Sequence, residues 1–138
     1  MKIVLANGVF DILHVGHVEH LEEARTMGDY LVVSLTVDSA VNKGKGRPLN
    51  CWSDRLAVLK ALRCVDLVIS AASATEAIEK VCPAIFVKGI DYARMDRFTE
   101  NVVGACRKVG AELLFTKTRK RSATDLIMRT VECQTLSK

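Results

Sequence analysis

At 138 residues, 49% hydrophobic and 26% charged, the chain has the length of one domain and enough apolar side chains to fill a core, which excludes a disordered tail. Twenty Lys+Arg against sixteen Asp+Glu leave a charge of +4. That excess is too mild for a protein held on nucleic acid by phosphate contacts, and suits a small anionic ligand better. Five scattered cysteines without a CxxC pair argue against a disulfide framework or structural zinc, and for a reducing compartment. The opening apolar run, Ile3–Ala6, is too short for a leader, and no run approaches a membrane span. A cytoplasmic chain, away from membrane and nucleic acid, is expected.

Short apolar runs alternate with segments of helical period. Strands are predicted at Lys2–Ala6, Tyr30–Val37, Val65–Ser70, Ala84–Val87 and Glu112–Phe115, most of them nearly continuous in apolar residues, as in a parallel sheet covered on both faces. The first helix is predicted at His17–Met27, with Val18, Leu21, Ala24 and Met27 three residues apart and Gly28 as the stop. Further helices are predicted at Ser53–Leu62, Thr75–Val81, Thr99–Val109 and Ser122–Val131. This order implies a single α/β domain: a Rossmann-like, doubly wound, five-stranded parallel sheet with helices on both faces. Two longer loops, Asp38–Asn50 and Lys88–Phe98, follow strand C-termini, where such sheets bind ligands.

Between the first strand and first helix runs Asn7-Gly8-Val9-Phe10-Asp11-Ile12-Leu13-His14-Val15-Gly16-His17. It carries neither GxxxxGK[ST] nor GxGxxG, so neither a Walker loop nor a dinucleotide fingerprint is present. Two imidazoles instead flank a glycine at a helix start, where backbone N–H groups and ring donors can meet phosphate oxygens. His20 extends the pair to HxxHxxH. With no carboxylate or cysteine at ligand spacing, a partly buried helical histidine is expected there rather than a metal ligand. Asp11 fits a cap or turn former better than a metal ligand.

HVGH preceded by NGVFD resembles the HxGH nucleotidyltransferases, in particular their cytidylyltransferase-like branch. Lys43-Gly44, Arg47-Pro48, Asn50 and Arg55, then Ala61–Asp66 and Val87–Tyr92, resemble bacterial heptose-1-phosphate adenylyltransferases over nearly the whole chain. The resemblance implies transfer of a nucleotidyl group from a nucleoside triphosphate, ATP or CTP, to a sugar phosphate, releasing pyrophosphate. It implies His14, His17 and Lys43 as catalytic residues, with Lys45 an alternative to Lys43. Gly8, Val9, Phe10, Gly16, Lys88, Gly89, Asp91, Ser122 and Thr124 would line the nucleotide, Asp91 on the ribose hydroxyls and Ser122 and Thr124 on the outer phosphates. Arg55 and Arg63 would meet the acceptor phosphate, although a helix-surface ion pair is equally open for Arg55. Mg²⁺ would come mainly on the triphosphate and its waters, with Asp11 a possible contributor. Trp52 is expected as a hydrophobic lid. The basic run Lys117–Arg121 could grip phosphates or stand in solvent.

The chain departs from the heptose-type pattern at Ile90, where many relatives have glycine, and at Ala123, where they have a hydroxyl residue. Two alternatives stay open: a CTP-dependent enzyme acting on glycerol 3-phosphate or a related polyol phosphate or phosphonate, and a nucleotide-binding module without turnover. The resemblance also implies a homodimer, and no kinase domain is expected on the chain.

Overall fold

A computed structural model describes residues 1–90, 96–117 and 123–136, the last helix by its backbone at 123–126 and 134–136. Five parallel strands, β1 (Ile3–Gly8), β2 (Tyr30–Thr36), β3 (Leu67–Ala71), β4 (Ile85–Gly89) and β5 (Glu112–Thr116), form one sheet in the order β3-β2-β1-β4-β5. The helices are α1 (Val15–Thr26), α2 (Trp52–Lys60), α3 (Ala74–Val81), α4 (Arg97–Val109) and α5 (Ala123–Leu136), with a short 3₁₀ turn at Asp38–Ala40. The expected architecture is the observed one.

Strand alternation divides the core into two layers. Val4 and Ala6 of β1, with Leu31, Val33 and Leu35 of β2 and Ile85 and Val87 of β4, face Leu21 and Ala24 of α1 and Leu59 of α2. Leu5, Val32 and Phe86 face Ala77 and Ile78 of α3 and Val102, Ala105 and Cys106 of α4. A fully buried side chain such as Leu21 contributes about 1.5–3 kcal/mol. The strand order reverses between β1 and β4, so the crevice over their C-terminal ends is the topological switch point.

The element ends show what periodicity misses. β1 runs two residues beyond the expected Ala6 because Asn7 and Gly8 keep pairing with Ser34 and Leu35. β4 likewise extends to Gly89, opposite Thr116. Gly28 follows α1 as expected, but for space rather than a left-handed backbone: a Cβ there would lie 2.7 Å from both Lys2 O and Val4 Cγ2.

The paired imidazoles and the loop over them

His14 is the N-cap of α1. Its Nδ1 accepts from Gly16 N at 3.1 Å, while His17 Nδ1 accepts from the His14 backbone N at 3.3 Å. This is a capping box built from two imidazoles in place of a hydroxyl and a carboxylate. The rings stack with centroids 3.8 Å apart, and Phe10 meets His17 edge-on at 5.2 Å. With each Nδ1 engaged as an acceptor, a neutral ring carries its proton on Nε2. Burial lowers the His17 pKa to about 3, with the His14, Lys43 and His20 charges adding to the effect. At neutral pH His17 is therefore an uncharged imidazole whose remaining ring proton is available for donation.

Phe10 holds this geometry from behind. It is buried and adopts a left-handed φ of 51°, and a Cβ on Gly8 would lie 2.9 Å from its ring. Phe10 is thus a support for His17 rather than a surface lying against a ligand, and Gly8 is small because the ring occupies its space. The Gly8 and Val9 carbonyls accept from the Thr36 hydroxyl and from Arg55, so they serve the fold. Gly16 is buried in the first turn of α1, its N–H given to His14.

Asp11 lies in a turn after β1, as expected, but its carboxylate reaches across to the 47–50 segment and is not open to a metal. Its carboxylate accepts from Leu49 N at 2.5 Å, from Asn50 N and Nδ2 at 3.0 Å each, and from Arg47 Nε at 3.4 Å, while Arg47 also reaches the Asp11 carbonyl. Against the opposing effect of burial, these donors hold its pKa below the usual carboxylate value. An Mg²⁺ ion bound through Asp11 does not fit, since those donors already occupy both oxygens. Among the described residues no group of three His, Cys, Asp or Glu could hold a metal ion.

The carboxylate instead anchors the far end of the 42–50 loop, which carries Lys43 back over the site. The Lys43 pKa is lowered by burial and by Arg47, with Asp11 opposing, and the Lys43 charge in turn depresses both His17 and Lys88. Lys45 is exposed. Lys88 is buried at the end of β4, donates to the Asn7 carbonyl at 3.3 Å, and lies over the Phe86 and Phe98 rings. Burial, then Lys43, lowers its pKa to about 8. Gly89 sits beside it at the strand end.

Both arginines expected at an acceptor phosphate are corrected. Arg55 is 2% exposed, and its guanidinium donates to the carbonyls of Asn50, Val9 and Thr36 and to Asp38 Oδ1 at 2.5 Å. It stitches the ends of β1 and β2 to α2. Arg63 lies in the turn before β3, at the N-terminal edge of the sheet and so across the domain from the crevice. The nearby Asp66 also serves structure there, accepting from Leu31 N and pairing with Arg25 at 3.0 Å. Trp52 packs on the α1–α2 core layer and donates to the Leu35 carbonyl. His20 is a helical histidine hydrogen-bonded to Thr116 Oγ1 at 2.6 Å, its pKa lowered to about 4 mainly by burial. Asp91 and Ser122, as well as the side chain of Thr124, lie outside the described residues.

Sequence reasoning missed the imidazole cap, because caps are expected from short polar side chains. It also missed the Asp11 anchor, whose partners lie nearly forty positions away. The spacing of Asp11 and Arg47 gives no local signal for that contact.

The profile of the family described as Cytidylyltransferase-like matches residues 5–129. The chain is 43% identical over 136 residues to the bifunctional protein HldE of Pseudomonas paraeruginosa, covering 94% of this chain and 28% of that protein. It is 42% identical over 139 residues to HldE of Azotobacter vinelandii, covering 96% and again 28%. The chain therefore spans less than a third of the length of these relatives. Among solved structures, a lipopolysaccharide core biosynthesis protein from Thermoplasma volcanium superposes with a TM-score of 0.72 at 33% identity, covering 87% of this chain and 99% of that one. A pantothenate synthetase from Thermus thermophilus, 16% identical with a TM-score of 0.60, shares the fold over 88% of this chain and 57% of its own. The chain belongs to the cytidylyltransferase-like family of nucleotidyltransferase enzymes.

Proposed function

We propose that the protein transfers a nucleoside monophosphate, from ATP in preference to CTP, to the phosphate of a heptose 1-phosphate or a closely similar sugar phosphate, in the making of a lipopolysaccharide precursor. The observation that carries this reading is the imidazole capping box, within reach of the Lys43 charge. A phosphate oxygen of the acceptor attacks the α-phosphorus, a P–O bond forms, and the bond to the β-phosphate breaks to release pyrophosphate. The attacking oxygen is already anionic at neutral pH, so no general base is needed and the site acts through position and charge.

His17, neutral and fixed in one tautomer, donates from Nε2 to the oxygens that gain charge, with His14 beside it. Lys43 and Lys88 supply positive charge from either side. Burial lowers both pKa values, with Arg47 adding to the effect on Lys43 and Lys43 to that on Lys88, and a triphosphate would relieve this crowding of positive charge. Mg²⁺ enters with the triphosphate as part of the substrate. We further place the protein in the cytoplasm and expect a homodimer. The similarity to HldE and to the lipopolysaccharide core biosynthesis protein supports the sugar-phosphate acceptor, as do Arg47-Pro48 and the VKG strand end.

Pyrophosphate release, measured with ATP and CTP against heptose 1-phosphate and glycerol 3-phosphate in the presence of Mg²⁺, tests the proposal. The expected outcome is fastest turnover with ATP and the heptose phosphate. Faster turnover with CTP and glycerol 3-phosphate would replace it with the polyol-phosphate reading, and binding without pyrophosphate release would leave a nucleotide-binding module.

A further inference from the structure

On the α3–α4 side of the crevice, away from the imidazoles, the ends of three neighbouring strands carry polar residues where the core layer below is apolar. Asn7 follows Leu5 on β1, Ser34 follows Val32 on β2, and Lys88 follows Phe86 on β4, each two residues further along the same face. Asn7 and Ser34 are register partners. Asn7 Oδ1 and Ser34 Oγ are both buried without a hydrogen-bond partner, and Ser34 is fully enclosed. A buried polar atom left unpaired costs about 1–3 kcal/mol, so two of them side by side are not explained by folding. Thr36, next on that face of β2, is satisfied by the Gly8 carbonyl and sets the contrast.

We propose that Asn7 and Ser34 are specificity-determining residues that hydrogen-bond a hydroxyl group of the acceptor. The inference rests on the nucleotidyl-transfer reading and adds where the acceptor lies. In-line displacement puts the attacking and leaving oxygens on opposite sides of phosphorus. With the triphosphate held at α1 and Lys43, the acceptor arrives from the α3–α4 side, over β1, β2 and β4. An amide oxygen and a hydroxyl are neutral and short, and they suit an alcohol rather than a second phosphate. The Lys88 ammonium beside them, on the Asn7 carbonyl, is placed for the acceptor's own phosphate.

Steady-state kinetics of Ser34→Ala and Asn7→Ala test this with heptose 1-phosphate, a hexose 1-phosphate and its monodeoxy analogues. Loss of the bond should lower kcat/KM for the acceptor about 10–100-fold in each variant while the KM for ATP changes less than about twofold. Wild type should reject one monodeoxy analogue by a similar factor, and Ser34→Ala should no longer distinguish it from the parent. Because the hydroxyl has no partner in the free protein, Ser34→Ala should melt no lower than wild type, which also shows that it folds. Thermal shift with the sugar phosphates and glycerol 3-phosphate alone reads acceptor binding apart from turnover.

Unchanged acceptor kinetics, or persistent discrimination in Ser34→Ala, would overturn the inference and leave the nucleotidyl-transfer reading standing. A lowered melting temperature in Ser34→Ala would also overturn it, by assigning the two atoms to a structural water. Absence of pyrophosphate release with every acceptor would instead remove the functional reading. In that event a thermal shift by the phosphates that is lost in the variants keeps the hydroxyl site, and no shift in wild type removes it.

Discussion

His17 has two tasks that one substitution removes together. Its Nδ1 accepts the His14 backbone N–H, while its Nε2 proton is left for a ligand. His17→Ala should therefore lower kcat by about 10²–10³, the usual cost of losing one donor to developing charge, and also cost roughly 1 kcal/mol through the cap. Urea denaturation alongside steady-state kinetics separates the two effects. Retention of half the wild-type kcat would falsify the catalytic role. Asp11 is the opposite case, a site-proximal carboxylate whose work is mechanical. Asp11→Ala removes the acceptor of two loop N–H groups, of the Asn50 amide and of Arg47 Nε, and should destabilise the fold by about 3 kcal/mol or more. A midpoint shift near zero would contradict the anchor. The histidine pair was legible in the sequence because a strand end, a glycine and a helix start fall in order around it. The burial of Arg55 was not, since an arginine one turn into an amphipathic helix gives no sign that three carbonyls from distant strand and loop ends await it.

The 42–50 loop is half anchored and half free to be shaped. Arg47, Leu49 and Asn50 are tied to Asp11, whereas Gly44 and Gly46 adopt left-handed φ values of 101° and 80° in open space. Gly46→Ala meets no clash but must hold a backbone that alanine disfavours, and should cost about 1 kcal/mol. In the same loop Lys43→Ala should lower kcat/KM well beyond Lys45→Ala, because the Lys43 charge reaches His17 and Lys88. Kinetics of the two variants at one ionic strength decide it, and equal small effects would mean that both are solvated surface charges. Sequence pattern found this loop by its position after β2 and by its glycines and cations. It placed Arg63 wrongly for a related reason: spacing along the chain does not say which edge of the sheet a turn occupies, and topology alone puts the turn before β3 at the far one.

Across the whole molecule, stability and pH are linked through buried bases. His17 and His20 titrate near 3 and 4 in the folded protein and near 6.5 when unfolded. Between those values the unfolded chain takes up protons that the folded one refuses, so stability falls as pH drops below about 6.5. The melting temperature should accordingly be lower at pH 5 than at pH 7.5, and the slope should be shallower in His20→Gln. A flat profile over that range would mean that both rings are open to solvent. Lys88 shifts in the same direction but in a higher window: with a folded pKa of about 8 against 10.5, folding gains as pH rises between those values, while the site loses charge for an anion. Triphosphate affinity should therefore decline above about pH 8, and measurement of Kd against pH checks it. The doubly wound class was legible throughout, since near-continuous apolar strands spaced by amphipathic segments leave few other folds. Which polar side chains are spent on folding and which are left for a ligand was not, because that depends on contacts between strand ends far apart in sequence.

Because α1 is capped by the same two rings that are proposed to meet the phosphates, chemistry and architecture would share an inheritance. A lineage that retired the reaction could not exchange these histidines freely, for each exchange would fray the helix that begins the domain. A descendant kept only to bind nucleotides would thus be expected to go on carrying the HVGH turn long after turnover had ceased to be selected. The motif in a distant relative is then a record of folding constraint as much as of activity.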